Sequence, residues 1–187
     1  MTTMSSSDLI DAPAWSIRPE QPRDLDQIHE VHRAAFSGPA EAELVDAIRS
    51  GSDFLPGLSL VAASSDDSIL GHVLVSRIAF TNSEGDGPRH DVLALAPLAV
   101  LPPHWGRGIG TALVAEAMAI ADARDEPFVA VLGSPPFYGR FGFVPASTFD
   151  IQGPYEAAGD AFQVRPRRDG PELGPGTVSY PAMFEDV

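Results

Sequence analysis

Six residues, Trp105-Gly106-Arg107-Gly108-Ile109-Gly110, carry the clearest chemical signal in this chain. Three glycines leave their backbone N–H groups unshielded by side chains. Directly afterwards Ile109, Leu113, Ala117 and Ile120 recur at helical spacing. A helix whose first turn is rich in glycine presents unpaired donors and the positive end of its macrodipole, which together form a seat for an anion, a phosphate group above all. The same glycines would also serve a tight strand–helix connection with close packing. Two common phosphate loops are excluded. A dinucleotide fingerprint needs glycine where Thr111 stands, and an acidic residue at the end of the next strand that this chain lacks. A triphosphate-binding P-loop needs lysine, and all 12 basic residues here are arginine.

A second reactive candidate lies downstream. Phe128-Val129-Ala130-Val131-Leu132 reads as a short strand, broken by Gly133-Ser134-Pro135-Pro136. Phe137-Tyr138-Gly139-Arg140-Phe141-Gly142-Phe143 follows. A phenol with an ordinary pKa near ~10 stays protonated at neutral pH and can hand a proton to a leaving group. In so Phe-rich a segment, Tyr138 would equally serve as core.

Taken together, the two segments resemble the GCN5-related N-acetyltransferase (GNAT) superfamily. Gly108 and Gly110 match the two glycines of its pyrophosphate element, (Q/R)-x-x-G-x-(G/A), although Trp105 stands where Gln or Arg is usual. Tyr138 to Phe143 matches its Tyr-x-x-x-Gly-Phe element. The segments APLAV, FYGRFGFVPA, AFQV and GTVSYPAMF resemble a bacterial YhbS-like branch. The resemblance implies a mixed α/β fold, the acyl-CoA N-acyltransferase fold, in which a twisted central mixed sheet is flanked by helices. It implies acetyl-CoA as cosubstrate, with pantetheine along the exposed backbone N–H and C=O groups of Leu98, Ala99 and Val100. The pyrophosphate would rest on Gly106, Arg107, Gly108, Ile109, Gly110 and Thr111, with the Arg107 charge and the Thr111 hydroxyl as further contacts. Ser134 would replace an asparagine that many members carry late in the fifth strand. Tyr138 would be the general acid of an N-acetyltransferase that moves an acetyl group directly to a primary amine, on a small molecule or a peptide, within a ternary complex. Two alternatives stay open: a non-catalytic acyl-CoA-binding or regulatory module, and a transferase using a longer acyl-CoA.

Composition narrows the chemistry further. The chain has no cysteine, so an acyl-cysteine intermediate, a disulfide and a thiolate metal site are excluded. No pair of side chains has convincing metal-ligand spacing, and no metal is expected. A net charge of −14 repels nucleic acid and anionic lipid; it would attract a cationic amine, and it would equally serve solubility or adaptation to salt. Without lysine, the chain cannot acetylate its own lysine side chains. The N-terminal residues lack a basic segment followed by an apolar one, and no apolar run is long enough for a bilayer, so a cytoplasmic protein is expected, monomeric or homodimeric. The base that accepts the amine proton is not assigned; Glu43, His72, His90 and Asp91 are candidates, whereas His29 and His32 read as solvated or core-edge residues of a first helix.

The elements that must position these residues follow from apolar periodicity. The expected order is β-α-α-β-β-β-α-β-α-β-β. Residues 1–14 are expected as a flexible tail, and 15–187 as a single domain. Trp15–Arg18 opens the sheet; Leu25, Ile28, Val31, Ala35 and Phe36 mark one helical face, and Leu44, Val45 and Ile48 a second helix. Leu58–Ala63 and Ile69–Phe80 read as paired strands, with a polar connection at 82–88 before a central strand from about Asp91. Pro145–Asp160 reads mostly as loop, and Phe162–Arg165 and Thr177–Tyr180 as the last strands.

Overall fold

Two long antiparallel strands, β3 (Ile69–Asn82) and β4 (Arg89–Val100), form the spine of the sheet. Both are almost continuously apolar, as strands covered on two faces must be. The computed structural model describes residues 14–83 and 89–185. The expected tail therefore lies outside the described residues except for Ala14, as does most of the connection at 82–88.

Along the chain come β1 (Trp15–Pro19), α1 (Leu25–Ala35), α2 (Ala40–Arg49) and β2 (Ser59–Ser64) before the spine. After it come α3 (Ile109–Asp122), β5 (Phe128–Leu132), α4 (Pro135–Tyr138), β6 (Val144–Pro145), β7 (Ile151–Gln152), β8 (Phe162–Pro166) and β9 (Gly176–Ser179). The strand order is β1-β2-β3-β4-β5-β8-β6, with β9 joining β3 and β7 joining β9. Parallel pairing at β4–β5 and β7–β9 within an otherwise antiparallel ladder makes this the mixed α/β sheet expected from the resemblance. One expectation fails. The stretch Pro145–Asp160, read mostly as loop, contains β7 and the second residue of β6. Each is a two-residue pairing recruited by β9 or β8, too short to leave a period of its own.

Alternation along β2 divides the core. Leu60 and Ala62 face α3, which contributes Ile109, Leu113, Val114, Ala117 and Met118. Val61 and Ala63 face the opposite way, toward Ile28 and Val31 of α1 and Val45 and Ile48 of α2. Gly71 lets α3 approach the sheet, because a Cβ there would stand 3.0 Å from the Ala99 carbonyl and 3.1 Å from Ile109. The far end of α3 is tied to β8 by a two-pronged ion pair, Arg165 to Asp122 at 2.8 and 2.7 Å.

A polar chain runs through the α1/α2 face. Arg49 donates to Glu20 at 2.7 and 3.0 Å, and the Ser59 hydroxyl donates to Glu20 at 2.5 Å. His72 Nε2 lies 2.9 Å from that hydroxyl, and His72 Nδ1 lies 2.8 Å from His32 Nε2. Because the hydroxyl proton is committed to Glu20, His72 donates from Nε2 and accepts at Nδ1, and His32 donates from Nε2. The remaining nitrogen, His32 Nδ1, is a buried lone pair without a partner among the described residues. Burial holds both imidazoles below their ordinary pKa, His32 down to about 2. Burial alone would raise the Glu20 pKa, but hydrogen bonds from His72, Arg49 and Ser59 bring it down to about 2.

Candidate active site

The site begins where β4 leaves its neighbour. Parallel pairing joins Leu93–Leu95 to Val129–Val131 and then stops. At that point Val75 faces Leu95 while Val73 faces Leu98, so Leu74 of β3 stands opposite both Ala96 and Pro97. This bulge bends β4. Beyond it, Leu98–Val100 keeps β3 on one edge and has no β5 partner on the other. Leu101 N donates to Leu70 O at 2.9 Å, which by the antiparallel alternation turns the backbone of Ala99 toward β3 as well. The expectation that all three residues offer free backbone groups is therefore corrected. The backbone groups of Leu98 and Val100 face the gap, whereas those of Ala99 face β3 although the residue still lines the cleft. A second correction concerns Val100, whose carbonyl accepts the Trp105 indole N–H at 2.6 Å.

Opposite this edge stands the start of α3. Gly106 and Gly108 have φ of +74° and +82°, a left-handed backbone that glycine adopts without penalty, and Gly108 is the N-cap. These turns point successive amides outward. None of the N–H groups from Gly106 to Thr111 donates a hydrogen bond among the described residues; the first bond of the helix is Ala112 N to Gly108 O. They open on a cleft of about 600 Å³ whose walls include Leu98, Val100, Gly106, Gly108, Gly110 and Thr111. The side chain of Arg107 is not in this wall. It is exposed and borders a different depression beside Trp15, Asp66 and His104. Arg140, which sequence reasoning passed over, does line the cleft, with its guanidinium 4.8 Å from the Phe137 ring centre. Ser134 is exposed and borders neither this cleft nor the next; its carbonyl instead accepts the amides of Phe137 and Tyr138 and so starts the turn that carries Tyr138.

A second cavity, of about 340 Å³, lies beyond Leu98 and Phe36, which are walls of both. Tyr138 lines it at the end of α4. The ring rests against Gly133, where a Cβ would fall 2.9 Å from Tyr138 Cδ2 and closer still to Cε2. Phe137 and Phe143 pack edge-on to it, with ring centres 4.9 and 5.7 Å away. Burial pushes the phenol up to about 12, and its hydroxyl has no hydrogen-bond partner among the described residues. Besides residues of α2, β4 and β5, the wall includes four that spacing did not reveal: Glu41 at the start of α2, Tyr155, Tyr180 and Phe184. None of the four base candidates borders it. Glu43, His90 and Asp91 are exposed, and His72 belongs to the buried polar chain.

A model of the acetyltransferase (GNAT) family matches residues 25–143, which contain both the glycine loop and Tyr138. The chain belongs to that family. It is 32% identical over 169 residues to an Escherichia coli (strain K12) protein, "Uncharacterized N-acetyltransferase YhbS", covering 90% of this chain and 97% of the relative. The crystal structure of a GNAT family N-acetyltransferase (YhbS) from Escherichia coli in complex with CoA superposes with a TM-score of 0.80 at 30% identity, covering 92% of both chains. A GNAT family acetyltransferase from Brucella melitensis in complex with acetyl-CoA gives a TM-score of 0.72 at 31% identity, over 91% of this chain and 97% of that one. Among the described residues no group of three or more His, Asp or Glu side chains could hold a metal ion, and no helix is long and apolar enough to cross a membrane.

Proposed function

We propose that this acetyltransferase moves the acetyl group of acetyl-CoA directly to a primary amine, with both bound together and Tyr138 as the proton donor. One observation carries the reading: a row of free amides from Gly106 to Thr111 opens onto a cleft that borders the unpaired β4 edge and has the walls Phe36 and Leu98 in common with the cavity of Tyr138. The amides fit a diphosphate, which needs several convergent donors and no lysine. The free groups of Leu98 and the Val100 N–H fit an extended amide-bearing arm, paired as an added strand would be. The CoA and acetyl-CoA bound by the two structural relatives support this assignment.

The step balances without a covalent enzyme intermediate. The neutral amine nitrogen attacks the thioester carbonyl, the C–N bond forms and the C–S bond breaks. The departing thiolate takes the phenolic proton of Tyr138, and the amine's excess proton passes to water. A phenol held near 12 keeps its proton throughout the neutral range, so the acid is always armed. Since the chain has no cysteine, any thiol that appears during turnover is CoA. Replacing Tyr138 with Phe should lower kcat by about 10²-fold, the usual scale for loss of a general acid, with the acetyl-CoA Kd held within about threefold by calorimetry. Unchanged thiol release would remove Tyr138 from the mechanism.

A further inference from the structure

We propose that the second cavity selects a primary amine bearing one positive charge on an apolar or aromatic body, and that Glu41 holds its ammonium group. This rests on the acetyl-transfer reading for its view of that cavity as the acceptor side.

The walls make the argument. Glu41 is the only charged residue among the described residues that line the cavity. It is half-buried and makes neither a hydrogen bond nor an ion pair among the described residues, whereas many other acids of this chain are paired with arginine. An unpaired carboxylate beside aromatic rings is a receptor for one cation. Tyr155, Tyr180 and Phe184 stand in a ladder with successive ring centres 5.1 Å apart, and Phe36 completes the aromatic lining. Such a wall offers an amine's organic body dispersion and apolar burial but little hydrogen bonding.

Exclusion follows from the same inventory. A free amino acid would carry its carboxylate into a cavity with no basic side chain in its described wall, near a carboxylate already there. A polyamine would bury a second and third ammonium with no counter-charge for either. The remaining class is the hydrophobic monoamine, for which 2-phenylethylamine and hexylamine are simple probes. The overall charge of −14 raises the local concentration of any such cation before it docks.

The test measures CoA release from acetyl-CoA with 2-phenylethylamine, hexylamine, L-phenylalanine, spermidine and a lysine-containing peptide with both ends blocked. The expected kcat/KM for the two monoamines exceeds that for each of the other three at least about 10²-fold. Glu41→Gln should raise the monoamine KM at least about tenfold with the acetyl-CoA Kd little changed, and Glu41→Asp should recover part of the loss. Calorimetry of 2-phenylethylamine with the CoA-loaded protein supplies a readout independent of turnover. Binding that weakens in Glu41→Gln, with no CoA release from any amine, would refute acetyl transfer and uphold the cavity's selectivity. Equal or better turnover of phenylalanine, spermidine or the peptide would overturn the proposal. So would a preference for hexanoyl-CoA over acetyl-CoA without discrimination among amines, because the cavity would then house the acyl chain.

Discussion

Acid should loosen this protein well before its carboxylates titrate, and His32 is the reason. The side chain is completely buried, donates its one N–H to His72 and keeps a lone pair unpartnered among the described residues, so the folded protein holds it neutral with a pKa of about 2. In the unfolded chain the same imidazole titrates near 6.5. Between these values only the unfolded state takes up the proton, so stability falls as pH falls. At pH 5.0 the medium is about 1.5 units below the unfolded pKa, and at about 1.36 kcal/mol per unit His32 alone withdraws about 2 kcal/mol relative to pH 7.5. His72 is depressed in the same sense and adds to the loss. Urea unfolding followed by tryptophan fluorescence at the two pH values measures the effect directly. His32→Gln keeps an amide donor for His72 Nδ1 but cannot titrate, so its loss of stability between pH 7.5 and 5.0 should be smaller than the wild type's by about 2 kcal/mol. Equal losses in the two proteins would refute the buried neutral imidazole.

Two further perturbations probe the site itself. Gly133→Ala places a methyl group where the Tyr138 ring lies, so kcat should fall at least about tenfold with the acetyl-CoA Kd unchanged in calorimetry. Gly108→Asp tests the anion seat: among the described residues no atom beyond the adjacent residues lies within 4 Å of a Cβ built there, and Asp tolerates a left-handed backbone better than most residues. Its carboxylate would oppose the diphosphate, weakening acetyl-CoA binding about 10²-fold, whereas Gly108→Asn should cost markedly less; equal affinities for the two variants would argue against phosphate at this turn.

What could be read from the chain, and what could not, divides by range. The glycine turn and its unpaired amides were legible because their determinants are local: three glycines, a helical period after them and a strand before them all fall between Leu93 and Ile120. Tyr138 was legible for the same reason, since Gly133, the Pro-Pro pair and the aromatic cluster are neighbours in sequence. Pairing across the sheet was not local. Nothing in the order Leu98-Ala99-Val100 says that the middle residue turns its backbone to β3, or that an indole five residues on will occupy the Val100 carbonyl. The second cavity was the least visible part. It draws Phe36 and Glu41 from one end of the chain and Tyr155, Tyr180 and Phe184 from the other, and these meet only because β9 joins β3 alongside β2. Exposed acids and a buried histidine were offered as bases because sequence shows that a residue can titrate but not which wall it faces.

Phe36 and Leu98 are party walls, common to the cleft at the start of α3 and to the aromatic cavity. Neither residue can be exchanged without reshaping both rooms. Tyr155, Tyr180 and Phe184 border only the inner one. Descendants of this chain could therefore exchange one guest molecule for another through drift in the C-terminal third, while the lodging of the other guest stayed intact.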